Sequence, residues 1–189
     1  APEININIVY ADQPKNDFNG LVKTVLGLGH FPSYLETTEN VYPLFSANSF
    51  YKQIVPDNTL DFGFSATAMH WLSGKPCELS NHVHMVGADG EEYLRFSEHG
   101  KKDWETILLH RAHELRKGGQ LVLLNFCRDE KGKYLGNTTG VNMFSNFVKI
   151  WQDFLGQGRI SEDEYKRMTL PQYYNTVEEF SAPLKSFDS

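Results

Sequence analysis

Several short stretches of this chain carry residue types that could do chemistry. The run Ile4–Ala11 ends at Asp12. An acid at the carboxyl end of a strand can accept hydrogen bonds from both hydroxyls of a ribose, although Asp also simply starts turns. Gly63-Phe64-Ser65-Ala66-Thr67 follows an apolar run and has the shape of a nucleophile elbow, which would make Ser65 the nucleophile of a serine hydrolase. Its last position is the β-branched Thr67 where that turn wants a small residue, and no clear oxyanion-hole glycine run accompanies it. His82/His84 and His110/His113 could ligate a metal, the second pair with the i,i+3 spacing of a helix face. No H-E-x-x-H and no third ligand is evident, so these histidines read as surface or helix-face residues. His70-Trp71 could wall a flat substrate pocket, or Trp71 could fill core. Gly27-Leu28-Gly29 follows a helical pattern rather than a strand, so it is a helix stop and not a dinucleotide loop.

These residues need elements to hold them. Alternation predicts a strand over 4–11, and Phe18, Leu21, Val22, Val25 and Leu26 have helical spacing. A short strand is expected near Tyr42–Ala47, and Ser49 can cap a short helix that ends at Pro56. Leu60–Ser65 reads as a strand and 73–90 as loop. Trp104, Ile107, Leu108, Ala112 and Leu115 mark the clearest helix, ended by Arg116-Lys117-Gly118-Gly119. Leu121–Phe126 is nearly all apolar, the pattern of a strand buried on both faces. Residues 141–155 are helical, Ser161 opens a short acidic helix, and Thr176 with Glu179 forms a capping box. Strands alternating with helices give an α/β class.

Composition narrows the class of function. The chain has 189 residues, 40% of them hydrophobic, enough for one core. No run of roughly 18 apolar residues is present to cross a membrane. A formal charge of -6 argues against nucleic acid or an anionic membrane as partner. Two cysteines, Cys77 and Cys127, cannot form a disulfide scaffold, which fits a reducing compartment and a cytoplasmic location.

Taken in register, several blocks resemble one family. Asp12-Gln13-Pro14 with Asn16-Asp17-Phe18-Asn19 is similar to the N-D-L-P-x-N-D-F-N block of the SABATH carboxyl methyltransferases, the group of salicylate and jasmonate methyltransferases and caffeine synthases. Ser49-Phe50-Tyr51 with Pro56 and Asn58-Thr59-Leu60 resembles its S-F-Y block, and His70-Trp71-Leu72-Ser73 its H-W-L-S. Gly118-Gly119-Gln120-Leu121-Val122-Leu123 resembles P-G-G-x-M-V-L, and Leu170-Pro171-Gln172-Tyr173 resembles N-x-P-x-Y.

The resemblance implies a Rossmann-like methyltransferase sheet with helical cap elements, and S-adenosyl-L-methionine as cofactor. It divides the chain into core at 1–127, with 74–100 as an insertion, and part of the cap at 128–189. It makes Asp12 the ribose acid, with Gln13, Ser49, Phe50 and Ser65 also cofactor-binding. Thr67, His70, Trp71, Phe126, Met143 and Phe144 match substrate positions. The implied acceptor is a small-molecule carboxylic acid or an N-heterocycle, with His70 orienting it. The implied partner is a second copy of the chain or a complementing chain.

The chain also departs from the family pattern. The family usually has Tyr at the position of Thr67. Asn81 matches a metal-associated position, but its partners would be Lys166, Met168 and Thr169, which do not supply ligands, so no metal is expected. The Gly-rich cofactor loop and the strand before it are not found ahead of Asp12. In the family's order that strand lies between the strands at 4–11 and 60–65, so the sheet is expected to be incomplete. A truncated, non-catalytic binding or dimerisation module is the alternative to an enzyme.

Overall fold

The computed structural model describes residues 4–137, 140 and 142–186. They form two compact units. One comprises the described residues within Ala1–Leu60 and His110–Lys117, the other those within Asp61–Leu109 and Gly118–Ser189.

In the first unit, β1 (Ile6–Asp12) pairs in parallel with β2 (Val41–Ala47), with Ile6 opposite Val41 and Asp12 opposite Ala47. Parallel strands need a crossover, and α1 (Phe18–Val25) lies within it. Asp17 caps α1 by accepting the Gly20 N–H at 3.0 Å. The helix stops at Gly27, as expected. Gly27 has φ of 68°, and a Cβ there would lie 2.8 Å from the Ser33 nitrogen. Tyr10 stacks on Phe45 at 5.6 Å and shares a 2.7 Å hydrogen bond with the Tyr34 hydroxyl.

No helix follows Ser49. Its hydroxyl accepts the Tyr51 N–H at 3.3 Å and its carbonyl the Lys52 N–H at 2.9 Å, which closes a single turn. The Phe50 and Lys52 carbonyls and the Ile54 and Val55 N–H groups bond to side chains of a distant helix, and the Gln53, Ile54 and Val55 carbonyls to nearby side chains, so these groups are not in helical hydrogen bonds.

That helix is α2 (Gly90–Glu114), longer at its start than the apolar spacing indicated. Its buried stripe runs Phe96, Asp103, Ile107, Arg111 and Glu114, so charged residues sit in it. Its end also differs from expectation. β4 (Leu115–Leu124) begins directly at Leu115, so Arg116–Gly119 is strand rather than helix stop. The His113 and Glu114 carbonyls accept the Asn58 and Thr59 N–H groups, each at 3.0 Å, which satisfies the helix end without a glycine cap.

β4 pairs with β3 (Leu60–Ala66). The two strand pairs are separate two-stranded sheets, so among the described residues each strand has a partner on one side only. β4 is not buried on both faces. Val122 and Leu124 are 42% and 49% exposed, as are Phe62 and Phe64 of β3 at 55% and 64%, so only alternate residues are covered.

The core of the second unit gathers Leu79, Met85, Phe96, Tyr134, Phe144, Tyr173 and Tyr174. α3 (Met143–Gly156) is capped by Asn142, which accepts the Ser145 N–H at 2.9 Å; Val141, expected to open this helix, lies outside the described residues. α4 (Glu162–Arg167) opens at Ser161 as expected and has a Ser161–Glu164 capping box besides, and α5 (Val177–Ser181) has the predicted Thr176–Glu179 box.

Gly100 lets α2 approach this core closely, because a Cβ there would meet the Tyr173 ring at 2.5 Å. Tyr173 is 1% exposed and cannot swing out. Gly100→Ala should therefore lower stability by about 1–3 kcal/mol from overpacking, despite the ~1 kcal/mol that Ala gains over Gly in a helix. Urea unfolding of the variant against the parent measures it.

Candidate functional site

The acceptor-side positions fall in the second unit. The Tyr173 N–H donates to the His70 carbonyl and the Leu72 N–H to the Pro171 carbonyl, both at 2.8 Å, with an antiparallel bridge between Trp71 and Gln172. The His-Trp-Leu-Ser and Leu-Pro-Gln-Tyr blocks, far apart in sequence, thus form one wall. His70 is 5% exposed. Its ring lies 5.8 Å from Trp71, 5.0 Å from Phe126 and 5.7 Å from Tyr174. Burial pushes the His70 pKa below its ordinary value, so the imidazole is neutral at pH 7. Its Nδ1 is buried without a hydrogen-bond partner. A buried ring nitrogen with nothing to bond is costly.

Behind this wall lies His84, which is completely buried. The reading of His84 as a surface residue is therefore wrong. Its ring stacks on Phe144 at 3.9 Å and tilts against Tyr174 at 4.9 Å. Its Nδ1 accepts the Val86 N–H at 3.3 Å, so Nε2 carries the proton and donates to Gln172 Oε1 at 2.9 Å. Burial drives its pKa down to about 3. Phe144, 4% exposed, gives a face to His84 and supports the wall from behind. Met143 packs at the edge of the same cluster, its N–H held by the Gly136 carbonyl at 2.9 Å.

The wall is tied down at both ends. The Ser73 N–H and Oγ both donate to the Asp103 carboxylate at 2.7 Å, and Oγ lies 3.0 Å from His99 Nε2. This trio has the composition of a hydrolase triad, but Asp103 already takes the serine proton, which leaves His99 no base role. It anchors the His-Trp-Leu-Ser segment to α2. At the other end Arg128 reaches the hydroxyls of Tyr93 and Tyr173 at 2.7 and 3.3 Å and the Tyr174 carbonyl at 3.1 Å. Tyr173 in turn donates to Glu179 at 2.8 Å.

Ser65 is not at an elbow. It lies half-buried within β3, and the left-handed turn residue is Thr67, with φ of 55°. A nucleophile elbow puts its serine in the turn itself, so the hydrolase reading falls. The Thr67 N–H bonds to the Leu124 carbonyl at 2.7 Å and closes the strand end.

The other cofactor-side positions lie in the first unit. Asp12 is the last residue of β1 and exposed. Its oxygens accept the Gln13 N–H at 2.6 Å and the Asn16 side-chain amide. These bonds fix the plane of the carboxylate and leave lone pairs for a diol, so the residues present fit a ribose. Gln13 is exposed beside it. Ser49 and Phe50 are half-buried in the closed turn, with Phe50 tilted on Tyr51 at 4.7 Å.

Asn81 and Lys166 line a cavity of about 250 Å³ with Gln152, Glu162 and Tyr165. Thr169 Oγ1 instead accepts the Leu79 N–H at 3.0 Å. No cluster of three His, Cys, Asp or Glu side chains suited to a metal occurs among the described residues.

Sequence reasoning missed Tyr174 and Arg128, named Gln172 only within a block, and weighed His84 only as a metal ligand or a surface residue. Tyr174 adjoins the Leu170–Tyr173 block and Arg128 follows Phe126-Cys127, so adjacency was the only signal.

The model of the SAM-dependent carboxyl methyltransferase family matches residues 1–188, and this chain belongs to that family. A farnesoic acid carboxyl-O-methyltransferase of Arabidopsis thaliana is 29% identical over 93% of the chain and 50% of its own length. A loganic acid O-methyltransferase of Catharanthus roseus is 24% identical over 100% of the chain and 50% of its own. A solved loganic acid methyltransferase with SAH superposes with a TM-score of 0.80 at 21% identity, covering 97% of this chain and 52% of that one. The chain thus spans about half the length of the curated relatives it matches.

The neutral histidines set a pH dependence. Folded His84 titrates near 3 and unfolded His near 6.5, so the unfolded chain binds the proton first. This contribution is complete well above pH 6.5 and should fall by about 1.4 kcal/mol per unit as pH drops from there toward 3. His84→Gln should flatten that slope in urea titrations between pH 4 and 7.

Proposed function

We propose that the full-length protein containing this chain transfers a methyl group from S-adenosyl-L-methionine to the carboxylate of a small organic acid. The observation that carries the reading is His70, buried among Trp71, Phe126 and Tyr174 with Nδ1 unfilled. Family membership and relatives whose names specify carboxyl groups and organic acids support it.

Asp12 would hold the ribose, with Gln13, Ser49 and Phe50 flanking the adenine and Ser65 contributing from β3. The donor, when bound, supplies a methyl on a sulfonium whose transfer to a carboxylate oxygen leaves a neutral ester and a neutral thioether. Loss of charge on the way to the transition state favours a dry, apolar wall. Trp71 and Phe126, backed by Phe144 and Met143, would provide one, with Thr67 beside them. A carboxylate is already ionised at pH 7, so no general base is needed. His70 orients the acceptor by a hydrogen bond from Nδ1; with a ring N–H acceptor the same nitrogen would take the proton. Assembly with a second copy or complementing chain, and a reducing, cytoplasmic setting in keeping with the free Cys77 and Cys127, belong to the same proposal.

The test is methyl transfer by the full-length protein to a panel of small carboxylic acids, with calorimetry of S-adenosylhomocysteine alongside. We expect turnover of at least one acid. Trp71→Ala should lower kcat/KM about 10–100-fold, equivalent to about 1.4–2.8 kcal/mol. Absence of both turnover and binding would favour the non-catalytic module, and full activity in Trp71→Ala would remove the pocket assignment.

A further inference from the structure

The first unit holds a buried ion pair that has no part in the chemistry proposed above. Arg111 and Glu114, 4% and 1% exposed, are one turn apart at the end of α2. Arg111 Nε donates to Glu114 Oε2 and Nη2 to Oε1, both at 2.6 Å, a two-pronged pairing. The remaining capacity of both groups goes to one loop. Arg111 Nη1 donates to the Phe50 carbonyl at 3.1 Å and Nη2 to the Lys52 carbonyl at 2.9 Å. Glu114 Oε1 accepts the Ile54 N–H at 2.5 Å and the Val55 N–H at 3.4 Å.

An isolated buried pair adds little to stability, because desolvation offsets the attraction. This pair instead satisfies the backbone of a segment that has no helix or strand of its own. The loop is the one that carries Ser49 and Phe50, and the Phe50 carbonyl is itself an anchor point. We propose that Arg111 and Glu114 are positioning residues for the adenine side of the cofactor site. They act by fixing the 50–55 backbone so that Ser49 and Phe50 are set before the cofactor arrives. Pre-set geometry lowers the ordering cost of binding, so the effect belongs in cofactor affinity rather than in the acceptor's. Lysine cannot replace the arginine here, because a point charge cannot make the fork and also span two carbonyls.

This inference rests on the reading of Ser49 and Phe50 as cofactor-binding. The experiment uses the full-length protein with Arg111→Lys and Glu114→Gln. The parent is measured first, by calorimetry with S-adenosylhomocysteine. No binding by the parent would remove the functional reading itself. Given binding, we expect each variant to raise the dissociation constant for S-adenosylhomocysteine and the KM for S-adenosylmethionine about 5–20-fold, with kcat and the acceptor KM within about twofold of the parent. A purely structural pair would lower the melting temperature and the active fraction but leave the cofactor constants unchanged, and that result would overturn the proposal. Should the variants not fold, the parent decides. Exchange of the Arg111 Nε–H, followed by nuclear magnetic resonance, should slow at least fivefold on saturation with S-adenosylhomocysteine, and unchanged exchange would overturn the proposal equally.

Discussion

The buried stripe of α2 is the constraint on which the site segments depend. A helix that only filled a core would carry apolar residues at these positions. Here Gly100, Asp103, Arg111 and Glu114 interrupt them. Each departure has a backbone or ring opposite it: Tyr173 against Gly100, Ser73 against Asp103, and the 50–55 loop against Arg111 and Glu114. The polar groups are tolerable because their hydrogen-bonding capacity is used. In return, loops without helix or strand of their own are tied to a long helix. Within each unit, the loop residues that would meet a ligand hang from the helix and not from their own secondary structure.

The aromatic wall follows the same logic with neutral groups. His70 and His84 are buried, and burial pushes both below their ordinary pKa, so neither brings a charge into the cluster. They differ in satisfaction. His84 has a partner on each nitrogen, Val86 and Gln172, and holds its ring flat on Phe144. His70 has none on Nδ1. One imidazole thus uses both ring nitrogens while the other leaves one unpaired. An alkyl side chain at position 84 could fill the volume, but it would leave Gln172 Oε1 without its donor.

Much of this was legible in the sequence where the signal is local. Ser161 and Thr176 announced their helices because a cap acts within one turn. The strand at Asp12, the Gly27 stop and the family blocks were likewise readable. What failed was decided at a distance. Ser49 looks like a cap, but the backbone after it is claimed by Arg111 and Glu114, some sixty residues later. Arg116–Gly119 looks like a helix end, but the carbonyls of His113 and Glu114 are taken by Asn58 and Thr59, which frees the chain to become strand at once. Val122 and Leu124 look doubly buried because apolarity says that a residue prefers cover, not which face the present neighbours supply. In the site, His70 and Trp71 stood in a recognisable block, whereas His84 and Tyr174 matter only through packing that no spacing encodes.

Thr67 shows how the two levels meet. A β-branched residue at φ of 55° is held in a region that costs of order 1–3 kcal/mol. Such a conformation persists only if its surroundings over-determine it. They do so here from both sides: the Thr67 N–H is bonded to the Leu124 carbonyl, and Met69 and His70 just beyond are buried. The turn cannot relax without unpairing the strand end or lifting His70 out of its ring cluster. The local strain is the cost of fixing where the histidine sits.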